Sequence, residues 1–180
     1  MSTLRKTLPA VAALGVSALF LAAPQAAYAA DSVSCQTAGE THFTPGVQMF
    51  QQSQFVTYRG VSSSCIDHSG LGITSARITA SFDDVDLSCV ASRFGTGTGV
   101  ATIVWDANGA RQTSHADITI DDTVLNTAKV SGVVTEGPFA GQRFTGKFNT
   151  SLLTGAGKCS AGALYGGVMN AEFKGAFSIG

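Results

Sequence analysis

The chain has 180 residues, with 11 lysines and arginines against 12 aspartates and glutamates and a formal net charge of −1. This near balance excludes the strongly basic surface by which proteins bind nucleic acid or an anionic membrane. The length is that of one domain with a substantial core, so we expect no second domain.

The N-terminal segment, 1–29, has the pattern of a cleavable secretory signal. A basic pair, Arg5 and Lys6, precedes an apolar stretch and then the small-residue motif AYA that ends at Ala29. The apolar stretch is too short to span a bilayer, and no later stretch is longer. We therefore predict cleavage after Ala29, with Ala30 as the alternative, and a secreted, extracellular protein that does not insert in a membrane.

The remaining residues, 30–180, alternate apolar and polar side chains with a period of two, as β-strands with one buried face do. The segment SARITASF at 75–82 shows this alternation clearly, and no later segment has the period of an amphipathic helix. The alternation predicts a single all-β domain with eight strands, at about 33–43, 54–62, 73–82, 97–105, 111–120, 126–135, 142–150 and 169–178.

Turn signals separate these strands at short and even intervals. Asn108-Gly109, between the fourth and fifth strands, is the strongest hairpin signal because both residues tolerate positive φ. Gly137-Pro138 marks the turn between the sixth and seventh strands. Short links favour an antiparallel meander, which either closes as an eight-stranded up-and-down barrel or folds as a two-sheet β-sandwich.

Two strands near the C-terminus favour the barrel. FTGKF at 144–148 and FKGAF at 173–177 each place a glycine on the same face as two phenylalanines. That pattern suits a crowded, tapering interior in which a side chain must be missing for the rings to fit. We therefore predict an antiparallel up-and-down barrel, with the sandwich as the alternative.

All four cysteines, Cys35, Cys65, Cys89 and Cys159, fall in the exported part, where thiols are oxidised. None of them has the close C-x2-C spacing of a zinc site. If successive strands alternate in direction, Cys35 and Cys65 lie at one end of the barrel and Cys89 and Cys159 at the other. The sequence thus predicts the disulfides Cys35–Cys65 and Cys89–Cys159, and no metal or cofactor.

The segment CIDHSG at 65–70 combines a thiol, a carboxylate, an imidazole and a hydroxyl. Catalytic triads converge from distant segments, whereas Asp67, His68 and Ser69 are sequence neighbours that point in different directions. We interpret the segment as a turn beside a disulfide. No catalytic residue is predicted anywhere in the chain.

Histidines and aspartates are the remaining candidates for metal ligands. His42 ends the first strand and His115 should face solvent from the fifth, so these two and His68 are not expected to meet. Oxygen ligands suit calcium, and five aspartates gather near one end of the predicted barrel, but no calcium-binding loop sequence accompanies them. We interpret them as a solvated edge: Asp83, Asp84, Asp86, Asp121 and Asp122.

Two further features have structural interpretations. The segment GTGTG at 95–99 lacks the lysine of a phosphate-binding loop and precedes a strand rather than a helix. Trp105, the only tryptophan, shares a face with Ala101 and Ile103, and we interpret it as a core residue or a plug at one end of the barrel.

Three stretches resemble a group of small exported actinobacterial proteins of uncharacterised function: GTGTGVATIVWDANGARQTSHADITI, VSGVVTEGPFAGQRFTGKF and the terminal FKGAFSIG. In that group a G-x-A-x-I-x-W strand leads into an Asn-Gly hairpin, and a G-P-F-A-G turn follows. The resemblance covers about the last 85 residues well and the cysteine-bearing first half more loosely. It implies secretion, disulfides and an all-β domain, and it supplies no catalytic residues.

Three functions from different classes fit these features. The first is a secreted, non-catalytic barrel that binds a small hydrophobic ligand in a cavity of several hundred Å³, or an extracellular partner at its surface. The second is a secreted protease inhibitor with its inhibitory loop at 61–72. The third is a barrel cyclase or isomerase, which needs a charged or hydroxylated side chain pointing inward among the phenylalanines.

Overall fold

The structure is a computed structural model that describes residues 32–89, 95–124, 126–152 and 166–180, without the side chains of 122–124. Within these ranges the chain forms eight β-strands and no helix, and hence no helix able to cross a membrane. The predicted signal lies outside the described residues. The strands are β1 (Val33–Val47), β2 (Gln52–Asp67), β3 (Ile73–Leu87), β4 (Gly97–Ala107), β5 (Ala110–Val124), β6 (Thr127–Glu136), β7 (Arg143–Thr150) and β8 (Val168–Ile179).

The strands form one closed barrel in chain order. Each strand pairs antiparallel with the next, and β1 pairs antiparallel with β8, with Val33 opposite Ile179 at one end of that seam. The predicted up-and-down barrel is therefore confirmed, and the two-sheet sandwich is excluded. We call the end where β1 begins the lower end and the end where β1 finishes the upper end.

All eight strands overlap their predicted positions, but β1 and β3 run past their predicted upper ends. In β1 the pairing with β8 shifts register between His42 and Val47, across Pro45. In β3, Asp84 has φ of 54°, and the pairing with β2 shifts register nearby. Such irregularities interrupt the period of two, so the alternation cannot be followed through them.

The lower end is closed by a buried tryptophan. Trp105 Nε1 donates to Ser114 Oγ at 2.9 Å, and Ser114 Oγ donates to the carbonyl oxygen of Pro138 at 2.6 Å. The turn after β6 brings Phe139 over the indole, with ring centroids 5.5 Å apart and nearly perpendicular planes. The interpretation of Trp105 as a core residue at the end of the barrel is confirmed.

Glycines in the barrel wall leave space that aromatic rings fill. A Cβ added at Gly146 would lie 2.6 Å from Cε2 of Phe148, and one added at Gly175 would lie 2.8 Å from Cδ1 of the same ring. At contacts this short, the ring or the backbone around it would have to shift. The predicted crowding of the interior near the C-terminal strands is confirmed.

The disulfide Cys35–Cys65 joins β1 to β2 near the lower end, where the two cysteines are direct partners in the strand register. This pairing is confirmed. Cys89 follows β3 at the upper end and is already engaged with another group. Its predicted partner, Cys159, lies outside the described residues, so that pairing stays a prediction.

Candidate functional site

The lumen of the barrel is filled by its own side chains. An eight-stranded barrel has an interior just wide enough for that, and the described residues leave two internal voids of about 30 and 20 Å³. Ligand pockets usually measure about 300–1,000 Å³, whereas a void of this size holds a water molecule or two. The cavity expected for a small hydrophobic ligand is absent from the part of the chain that the structure describes.

Tyr58 points inward from β2 and borders both voids. Its ring makes an edge contact with Phe173 at a centroid distance of 5.2 Å, another with Phe82 at 5.9 Å, and a tilted contact with Phe148 at 6.2 Å. The Tyr58 ring can extend into the lumen because its register partner on β3, Ala80, has a small side chain that leaves room for it.

Burial raises the pKa of the Tyr58 phenol. The hydroxyls of Thr150 and Thr41 act in the opposite direction, although Thr41 Oγ1 lacks the alignment of a full hydrogen bond. The phenol therefore stays neutral at physiological pH and can donate a hydrogen bond.

Sequence reasoning missed Tyr58, although Val56 and Gly60 on either side of it share its face and would have placed it inward. It supplies the inward hydroxyl that a cyclase or isomerase needs. No charged side chain is among the buried residues that the structure describes, and the voids beside the phenol are too small for a substrate. The interior therefore offers a hydrogen-bond donor without a base or a substrate site.

The CIDHSG segment is a turn organised by Asp67. Asp67 Oδ2 accepts from the backbone nitrogens of Gly72 at 2.8 Å and Ile73 at 3.0 Å, and Oδ1 accepts from that of Ser69 at 2.9 Å. Slight burial opposes ionisation of Asp67, but the hydrogen bond that the Ser69 hydroxyl donates to Oδ1 and the three backbone hydrogen bonds outweigh it and hold the pKa of Asp67 below its ordinary value. His68 is exposed beside the turn. The Asp67 carboxylate accepts hydrogen bonds from the backbone and does not orient the His68 imidazole.

The other two histidines lie on the outside of different strands. His42 Nδ1 is 2.8 Å from Asn170 Oδ1, and His115 Nδ1 is 3.2 Å from Thr102 Oγ1. His115 faces solvent as predicted. The structure does not bring the three histidines together.

The aspartates near the upper end likewise form no ligand set. Among the described residues, no group of three His, Cys, Asp or Glu side chains is arranged to hold a metal ion. Asp84 Oδ1 instead accepts from Ser53 Oγ at 3.1 Å. Asp83, Asp84, Asp86 and Asp121 are exposed, in line with their interpretation as a solvated edge.

The segment 61–72 does not have the form of an inhibitory loop. Its first part belongs to β2, where Val61 pairs with Ala38 and Asp67 pairs with Val33. Backbone that is already paired on a barrel cannot add as an extended strand in a protease cleft. Only the short turn that Asp67 holds remains free, so the geometry gives this hypothesis little support.

Four of the eight large apolar side chains that are exposed among the described residues lie at the upper end of the barrel. Phe50 in the turn between β1 and β2 is 80% exposed, Met169 on β8 46%, Phe55 on β2 44% and Met49 38%. The end of β1 connects these side chains. Phe55 pairs with Thr44, which precedes exposed Pro45, and Met169 lies beside Gly46, where an added Cβ would be 3.3 Å from Met169 Cγ. We call this set the upper apolar rim: Pro45, Met49, Phe50, Phe55 and Met169.

The sequence itself carries a signal for the rim. Met49-Phe50 is an apolar pair inside a link between strands, where the alternation gives it no buried face.

Comparison with family models, with curated proteins and with solved structures gives no match for this chain. The functional interpretation therefore rests on the geometry above.

Proposed function

We propose that the protein is a secreted, non-catalytic β-barrel that binds an extracellular protein partner through the upper apolar rim. The observation that carries the proposal is Phe50, whose ring is 80% exposed above a barrel whose lumen is already full. The described interior has no space that could take the ring or a ligand, so binding has to occur on the outside.

The composition of the rim supports a protein partner. Phenylalanine and methionine are enriched in protein interfaces relative to the rest of the surface. Full burial of one such side chain contributes about 1.5–3 kcal/mol, so Phe50 and Phe55 together supply a useful anchor. Contiguous apolar surface with a polar border is typical of interaction sites.

Acidic side chains flank the rim on the β3 side. Ser53, two residues before Phe55, pairs with Asp86 and donates to Asp84. A partner with basic residues around an apolar pocket would complement this surface, because opposite charges at an interface set its register and speed association.

Secretion is part of the proposal and rests on the predicted signal. The Cys35–Cys65 disulfide agrees with an oxidising compartment, where such bonds persist.

The test uses a photoreactive phenylalanine analogue at position 50 of the mature protein, incubated with culture medium and cell-surface proteins of the producing organism. A single crosslinked partner is expected from position 50. Position 133 is the control and should give no product, because Val133 is exposed but lies on β6, outside the upper apolar rim. The partner, once purified, should bind the Phe50→Ser/Phe55→Ser variant at least about tenfold more weakly than wild type. Equal affinity of that variant, or the same products from both positions, would contradict the proposal.

A further inference from the structure

The outer surface carries a row of hydroxyl side chains in register across six neighbouring strands. Each member is the direct partner of the next: Thr98 with Thr119, Thr119 with Ser131, Ser131 with Thr145, Thr145 with Ser178, and Ser178 with Ser34. Thr145 Oγ1 and Ser178 Oγ are 2.8 Å apart, so these two hydroxyls orient each other.

Two lysines lie directly opposite each other beside this row. Lys129 on β6 is the register partner of Lys147 on β7, one outward position away from Ser131 and Thr145. Lys129 already interacts with another group, whereas Lys147 is exposed and is the lysine that a ligand would meet.

A surface groove of about 430 Å³ lies between the lysines and the hydroxyl row. It exists because Ala176, the partner of Lys147 on β8, is too small to fill the outer face at that point. Asp121 is the one acidic residue among the described side chains on the wall of the groove, and Asp122 on β5 is the register partner of Lys129. We call this feature the lysine–hydroxyl groove. Its polar lining is Ser34, Asp121, Lys129, Ser131, Thr145, Lys147 and Ser178, and its apolar lining is Val130, Gly146, Ala176 and Phe177.

We propose that the lysine–hydroxyl groove binds an anionic polysaccharide, with Lys147 contacting a carboxylate or phosphate of the polymer and the hydroxyl row contacting its sugar hydroxyls. An ammonium group offers three donors to an oxyanion, and serine and threonine both donate and accept hydrogen bonds. This site is separate from the upper apolar rim and stands whether or not the rim binds a protein.

The dimensions of the groove favour a polymer over a single small anion. Strands lie about 4.8 Å apart, so the four hydroxyls that line the groove on β6, β7, β8 and β1 extend over about 14 Å. That length accommodates two or three linked sugar rings, and the repeated spacing matches a ligand that is itself a repeat.

The test is titration of the mature protein with four polymers: polygalacturonate, a glycerol-phosphate polymer, uncharged dextran and polyphosphate. Saturable binding is expected for polygalacturonate or the glycerol-phosphate polymer, weaker at high salt, with none for dextran. Which of the two binds more tightly shows whether the anion is a carboxylate or a phosphate. Polyphosphate, which has no sugar hydroxyls, should bind more weakly than either.

The variants separate the groove from general charge attraction. Lys147→Gln should weaken binding about three- to fivefold, and Thr145→Val/Ser178→Ala should weaken it by a similar factor. Arg77→Gln removes a charge on β3, on another face of the barrel, and should change nothing. Lys147→Gln should also leave the melting temperature unchanged, because the Lys147 side chain is exposed.

Three results would overturn the assignment. The first is that neither sugar-containing anionic polymer binds saturably, and the second is that Arg77→Gln weakens binding as much as Lys147→Gln. The third is that polyphosphate binds as tightly as the sugar polymers, which would leave the hydroxyl row without a role.

Discussion

The two ends of the barrel are built differently. At the lower end, Trp105, Phe139 and the Cys35–Cys65 bond seal the interior, and Asp67 fixes the turn between β2 and β3 with backbone hydrogen bonds. At the upper end, the turn between β1 and β2 presents Phe50 to solvent, and the larger of the two voids lies beneath.

The two ends differ in what their aromatic side chains contact. At the lower end, Trp105 and Phe139 pack on each other and are buried. At the upper end, Phe50 and Phe55 stay exposed, whereas the other phenylalanines that the structure describes are buried. This exposure supports the proposed binding surface at the upper end.

The sharpest way to break this comparison is a matched pair of truncations. Trp105→Ala removes the ring contacts with Phe139 and Phe177 and leaves Ser114 without its donor, so we expect a loss of about 3–5 kcal/mol in the free energy of unfolding. Phe50→Ala should change it by less than about 0.5 kcal/mol. Both values come from urea denaturation. Similar losses for the two variants would mean that the ends do not differ in this way.

A second pair of variants tests whether the interior is full beside Gly146 and has usable space at the upper void. Gly146→Ala forces a methyl group against the Phe148 ring and should cost about 1–3 kcal/mol. Ala128→Val adds two methyl groups beside the upper void and should lower the free energy of unfolding by less than about 1 kcal/mol. Thermal unfolding of the two proteins measures the difference, and equal costs would show that the upper void is not usable space.

The smallest expected effect concerns the turn at the lower end. A carboxyl group whose pKa is lowered by folding stabilises the protein above its unfolded pKa and loses that contribution as the pH falls through its folded pKa. Asp67→Asn should therefore cost about 1 kcal/mol at pH 7, and the gap to wild type should close below about pH 4.

The control for the loss at pH 7 is Asp117→Asn, because Asp117 is exposed on the outer face of β5. It should change the free energy of unfolding at pH 7 by less than about 0.5 kcal/mol. A gap between Asp67→Asn and wild type that did not narrow at all as the pH fell below about 4 would refute the role assigned to the Asp67 carboxylate.

Local patterns predicted most of the fold. The period of two located all eight strands, Asn108-Gly109 located a hairpin in which both residues have positive φ, and the glycines between phenylalanines indicated a crowded interior. These features depend on neighbours in sequence, since side-chain alternation and turn conformation are properties of a few consecutive residues.

The candidate sites could not be read in the same way. Whether Met49-Phe50 is covered depends on what packs over the turn between β1 and β2, which is a matter of tertiary contacts. The hydroxyl row and the Lys129–Lys147 pair exist only in one register, and a slip of one residue between two strands would reverse the faces and separate them.

The sequence by itself thus determined the strands, their buried faces and the turns that join them, because each follows from the conformational preferences of adjacent residues. Tertiary structure alone decided the register in which β8 pairs with β1, the contacts of Tyr58 in the lumen, and which side chains meet on the outside. Closure and register are set by pairing between segments far apart in the chain, and a periodic pattern carries no information about which partner a strand will find.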